Sequence, residues 1–131
     1  MWQEEEEIME HIISIASIFW DTTDQLLYVL ILFIILDYIT GICVAILNHK
    51  VSSEIGAKGI SKKVGIFALI SLCHIADRYL LNTPSVLQTV TTTFYIANEG
   101  ISVIENIGRL GIPCPEKVKE LLALFKKLKK D

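Results

Sequence analysis

Residues 26–47 read LLYVLILFIILDYITGICVAIL, and this stretch decides the fold. It runs for 22 residues with one ionisable side chain, Asp37, near its middle. As a helix it would extend about 33 Å, enough to cross the hydrocarbon core of a bilayer. A buried helix of a water-soluble protein seldom runs so long with so few polar breaks, so the reading is a transmembrane helix. A carboxylate at mid-membrane costs roughly 2.5–3.5 kcal/mol, so Asp37 is expected to face protein or water rather than lipid. Gly41 and Ala45 follow at intervals of four, which puts Asp37, Gly41 and Ala45 on one face. Small residues at that spacing allow a second helix to approach closely. This is either a helix seam carrying one awkward acid or an assembly face whose acid has a role.

Composition supports a membrane reading. Apolar residues make up 52% of the 131-residue chain, and the mean hydropathy is +0.50 although both ends are polar. That pattern fits a membrane protein of few spans. The net charge of −3 conceals an asymmetry. Residues 1–47 carry eight acids and no Lys or Arg, whereas residues 48–63 carry Lys50, Lys58, Lys62 and Lys63 against Glu54 alone. Residues 109–131 hold Arg109 and six lysines against three acids. Basic segments beside apolar ones speak for membrane topology rather than for nucleic acid, which is not expected as a partner. Cys43, Cys73 and Cys114 are widely spaced and form no metal-ligand or redox motif, so they read as small apolar residues.

Working outward from the first span, residues 2–7 form an acidic segment expected to be disordered or solvated. Residues 8–20 read as a short amphipathic helix, too short to span, with Trp20 at headgroup level. Asp21-Thr22-Thr23-Asp24 supplies a break and a helix cap. Residues 48–63 are expected to be a loop, because Gly56 and Gly59 weaken a helix; Ser61 would then cap the next one. Residues 64–81 form a second span, about 27 Å long as a helix. It carries His74 and Asp77 on one face. Arg78 is expected to pair with Asp77 at the interface, a metal or proton-relay role for His74 and Asp77 being the weaker reading.

After a turn at residues 82–85, a third segment runs from Val86 to Leu110. Asn98, Ser102, Glu105 and Arg109 follow helical spacing along it, with Glu99 and Asn106 adjoining. Ile96, Val103, Ile107 and Leu110 take the other side. Alone this would be a poor span; its polar groups need partners or water. The alternative is a surface helix that never crosses. Gly111, Pro113 and Pro115 end it, and residues 116–130 form a basic amphipathic helix suited to an anionic membrane surface.

The expected organisation is therefore an all-α membrane protein. It has an acidic N-terminus with an interfacial helix (1–24), a first span (25–48), a basic loop (49–63), a second span (64–82), a turn with the third span (83–111) and a basic tail (112–131). Placing both lysine-rich segments in the cytoplasm gives three transmembrane helices with the N-terminus outside and the C-terminus inside.

Taken in order, several pieces resemble a phage lysis holin family that includes the clostridial toxin-secretion holins. They are Asp37, Gly41 and Ala45; then Ser52, Ser53, Gly56, Gly59, Ile60 and Lys63; then Asn98, Glu99, Ser102, Glu105, Asn106, Gly111, Pro113 and Pro115. The resemblance covers about residues 30–122. It implies a homo-oligomer in the bacterial cytoplasmic membrane that opens a lesion for an endolysin or a large toxin, with no cofactor or metal. On that view His74, Asp77 and Glu99 are membrane-embedded polar groups, and Asn98, Ser102, Glu105 and Arg109 are candidates to line the lesion. A competing class is a small ion- or proton-coupled transporter or channel subunit using Asp37 and Glu99 as membrane carboxylates. An enzyme is not expected, because the sequence has no nucleophile elbow, phosphate loop or metal cluster.

Overall fold

The computed structural model describes residues 1–19 and 25–130, and every regular element among them is helical. The order is α1 (Trp2–Phe19), α2 (Gln25–Leu47), α3 (Ser53–Ile75), a π turn (Ala76–Leu80), α4 (Val86–Arg109) and α5 (Glu116–Lys130). Trp20 and the break at Asp21–Asp24 lie outside the described residues.

α2 and α4 start and end within one residue of the expected first and third segments. Both termini of α4 have clear causes. Gly111, at φ 81, occupies the left-handed position just past the helix, and the N–H groups of Gly111 and Ile112 return to Gly108 and Ile107 at 3.0 and 3.3 Å. This pairing closes the last turn, and a residue with a Cβ would be strained there.

Two expectations need correction. The segment 53–63 is not a loop: α3 begins at Ser53, with the Ser52 hydroxyl accepting from Ile55 N–H at 3.2 Å. Ser61 is therefore mid-helix, and its hydroxyl donates back to Ala57 O at 2.8 Å. Two glycines cost a helix about 1 kcal/mol each, a penalty that capping and packing outweigh here. Space does not demand glycine at position 56, where a Cβ would meet the Tyr38 hydroxyl at an ordinary 3.8 Å. The second correction is the acidic start. Residues 2–7 are solvated but helical, continuous with α1. Glutamate is a good helix former, and acids in the first turn favour the positive end of the helix dipole.

α2, α3 and α4 form the bundle, with α2 and α3 both packed on α4 and α3 reaching α2 through side chains such as Ile70 and Lys63. α2 and α4 run in the same direction: Phe33 meets Gly100, and Asp37, one turn on, meets Asn106. The apolar core is small, built on Leu27, Leu30 and Ile70, with Ile34, Ile66, Phe67, Tyr95 and Ile96 against it. Buried polar residues are as prominent as buried apolar ones: Asp77, Gln88, Thr92, Glu99 and Asn106 beside Leu27, Leu30, Val44 and Ile70. Meanwhile Leu32, Ile35, Leu36, Ile39 and Ile46 of α2 point outward. Gln25–Leu47 and Ser53–Leu80 are long and apolar enough to cross a membrane, and only 6% of each apolar window is buried in the chain. A water-soluble bundle would be arranged the other way round.

Candidate functional site

The site is a polar seam inside this apolar shell, and it has two layers. The first lies at mid-bundle. Lys63 Nζ on α3 donates to Asp37 Oδ2 on α2 at 2.7 Å and to both carboxylate oxygens of Glu99 on α4 at 2.7 and 2.6 Å. Glu99 is nearly fully buried, with its side chain 2% exposed; those of Asp37 and Lys63 are 15% and 21% exposed. One ammonium thus serves two carboxylates and joins three helices. The free side of Asp37 is held by Asn106, whose Nδ2 donates to Asp37 Oδ1 at 3.2 Å and to Thr40 Oγ1 at 3.0 Å. Arg109 Nη1 in turn donates to Asn106 Oδ1 at 3.4 Å. Every charge in this layer has an opposite charge or a dipole against it, as burial requires.

The second layer closes the α3–α4 end. Asp77 is 2% exposed. Its Oδ1 accepts from the Thr83 hydroxyl at 2.9 Å and from Leu87 N–H at 3.0 Å; its Oδ2 accepts from Gln88 N–H at 2.9 Å. Ser85 precedes α4 in a left-handed conformation and makes no side-chain cap. Asp77 caps α4 in its place, reaching across from the π turn. The expected Asp77–Arg78 pair is corrected accordingly: the acid turns inward to backbone donors, and the Arg78 guanidinium lies 5.8 Å from the Tyr79 ring centroid. His74 Nδ1 meets Gln88 Oε1 at 2.8 Å, and Cys73 Sγ lies 3.4 Å from Thr91 Oγ1.

The residues singled out in the sequence fall as follows. Asp37 and Gly41 both face Asn106 on α4 of the same chain, a Cβ on Gly41 lying 3.7 Å from Asn106 Nδ2, and Ala45 is half-buried. Asn98 and Ser102 are half-buried, lining a polar groove between α3 and α4 with Lys62, Lys63, Tyr95 and Glu99. Glu105 is half-buried and Arg109 exposed. The deepest polar positions of α4 are instead Gln88, Thr92, Glu99 and Asn106. Sequence reasoning missed Lys63, which it assigned to the loop, and gave Asn106 only a neighbouring place. A signal was present: Lys63, Ile70, His74 and Asp77 are separated by seven, four and three residues, which is one helix face. That face becomes visible only once residues 53–63 are granted helical structure.

Comparison with known proteins bears on what this seam belongs to. The sequence model of the bacteriophage holin family matches residues 14–127. An uncharacterised 14.9 kDa protein in the nagH 3′ region of Clostridium perfringens is 38% identical over 117 residues, covering 85% of this chain and 86% of that one. The Listeria monocytogenes protein Lmo0128 is 37% identical over 112 residues, covering 86% and 79%. Bacillus subtilis YtkC is 29% identical over 114 residues, covering 87% and 84%. No solved structure matches the chain.

Proposed function

The chain belongs to the bacteriophage holin family, and from that premise we propose that it is a holin of the bacterial cytoplasmic membrane. It accumulates there, associates with copies of itself and opens a lesion through which an endolysin leaves, or in another setting a large toxin. This is a membrane-pore family, and no catalytic step is assigned to the chain. The observation that carries the reading is the inverted distribution of polarity: apolar outer faces on α2 and α3, and an Asp37–Lys63–Glu99 cluster within. In this reading the cluster holds a closed form. α4, about 36 Å long, is the third crossing, tolerable in lipid because its most polar face is turned inward. The lysine distribution supports an external N-terminus and a cytoplasmic C-terminus.

Triggering then separates α2 from α4 and turns Asn98, Ser102, Glu105 and Arg109 toward water. Movement of charge across the membrane would couple this to the membrane potential, by at most about 2.3 kcal/mol per charge per 100 mV. Three measurements test the proposal. Co-expression with a cytoplasmic endolysin should give abrupt lysis at a set time; growth arrest without endolysin release would overturn the holin reading. It would instead favour the ion- or proton-coupled transporter to which the paired acids Asp37 and Glu99 are suited. A reporter active only outside the cytoplasm should work when fused near residue 22 and fail at residues 55 and 131; activity at 55 would reverse the topology. After Cys43, Cys73 and Cys114 are replaced by serine, single cysteines at 98, 102 and 105 should react with a charged thiol reagent faster than those at 96, 103 and 107, once lysis begins. Equal reaction on both faces would rule out this lining.

A further inference from the structure

α5 is the helix least explained by the bundle. It follows α4 after Gly111 and two prolines, packs on α4, and leaves Leu121 and Leu124 about half exposed, at 52% and 54%. Val118 and Leu122 are half-buried. At 3.6 residues per turn its large apolar positions gather on one side, an arc that Lys117 and Lys129 share. Lys117 falls at one edge of that arc, while Glu116, Lys119 and Glu120 lie on the polar side, where Lys119 Nζ stands 3.6 Å from Glu116 Oε1. Six lysines against two glutamates over residues 116–130, beside an apolar arc, suit a helix lying in a headgroup layer, apolar side down, with lysine stems reaching outward to phosphates.

We propose that the exposed apolar face of α5 docks on the bilayer in which the chain sits, and that anionic lipid headgroups hold it there through its excess of lysines. Charge decides among possible occupants. A second α5 would oppose lysines to lysines. The acidic helix α1 is complementary in sign, but it precedes the start of α2, whereas α5 follows the end of α4. Because α2 and α4 run in the same direction, those are opposite ends of the bundle. An anionic lipid surface is complementary in charge, apolar just beneath, and already present at the α5 end. The inference rests on the membrane placement of the bundle and not on lesion opening.

The full chain is reconstituted in vesicles of brominated phosphatidylcholine, with or without about one third phosphatidylglycerol. Trp2→Phe and Trp20→Phe clear the background, and Leu121→Trp reports from the exposed apolar face. The Leu121→Trp emission should be blue-shifted and quenched by bromine in the anionic vesicles, and much less in neutral ones. Ala123→Trp, on the polar side, should emit as in water in both. Changing Lys117, Lys119, Lys126 and Lys127 to Gln should release the helix, with the docking equilibrium falling roughly fivefold for each lysine removed. Raised salt should act in the same direction. Equal quenching in neutral and anionic vesicles would overturn the headgroup contribution. Blue-shifted emission without bromine quenching would show a protein occupant and overturn the lipid one. A chain that inserts, by alkaline extraction and flotation, yet emits as in water at 121 would overturn this inference alone; a chain that fails to insert would overturn the membrane reading with it.

Discussion

At mid-bundle, two carboxylates share one lysine; about 21 Å away along α3, one carboxylate rests on three neutral donors. The mid-bundle layer is assembled from three helices far apart in sequence, Asp37 and Lys63 being 26 residues apart and Lys63 and Glu99 36. The end layer is local: Asp77 reaches Gln88 only 11 residues on. The α3–α4 hairpin is thus fastened to itself at its turn, while α2 is held to α4 by packing from Phe33–Gly100 to Gly41–Asn106 and to Lys63 of α3 through Asp37. If the bundle opens, α2 is the element that can leave while the Asp77 cap stays whole. The two layers also differ in what one substitution does. Removing the lysine leaves two buried acids facing each other; removing the Asp77 carboxylate leaves neutral N–H and O–H groups unpaired, a smaller penalty.

The strongest way to break this contrast is Lys63→Met. It should lower stability in detergent micelles by about 3–5 kcal/mol, read from unfolding curves, and bring lysis forward or prevent accumulation. Adding Asp37→Asn and Glu99→Gln to the same chain should recover most of that loss, because no unpaired charge then remains. A triple variant as unstable as Lys63→Met would mean that the lysine stem, not its charge, holds the layer. Next in size is Asp77→Ala, expected to cost about 2 kcal/mol, with faster hydrogen exchange confined to the first turns of α4. Exchange that rises equally in α2 would refute the locality of the end layer.

Packing between α2 and α4 sharpens the comparison further. Gly41→Leu should cost about 1–3 kcal/mol by forcing α2 away from Asn106, and it should perturb the mid-bundle layer more than the end layer. Gly41→Ala should be tolerated, since its Cβ would sit at an ordinary 3.7 Å from Asn106 Nδ2. Loss of the α2–α4 contact in Gly41→Ala, read by crosslinking, would show the seam to be tighter than this geometry. The smallest effect is expected at Thr92, whose buried hydroxyl has no partner among the described residues. Thr92→Val should be neutral or stabilising by less than about 1 kcal/mol, since no hydrogen bond is given up. A clear loss of stability would assign that hydroxyl a bond through water.

What the sequence determined by itself is what depends on neighbours along the chain. The apolar length of residues 26–47, the glycine and prolines after Leu110 and the polar spacing along Val86–Leu110 each act locally, so α2 and α4 were legible to within a residue. The run of lysines within residues 48–63 was legible as charge. It was misread as loop because the glycine penalty is local, whereas the packing that outweighs it is not. Which acid meets which base was decided only by tertiary structure. Lys63 is 26 residues from one partner and 36 from the other, and nothing in the spacing of either pair announces a contact. Nor could the sequence say that Glu99 and Asn106, rather than the stripe beside them, turn fully inward, because both faces of α4 carry polar groups. The rotation of α4 is set by where Lys63 and Asp37 stand, since a buried carboxylate is stable only against its counter-charge. Asp77 followed the same logic: Arg78 is its neighbour in sequence, but the uncapped N-terminus of α4, brought back by the turn, offers more donors at shorter range.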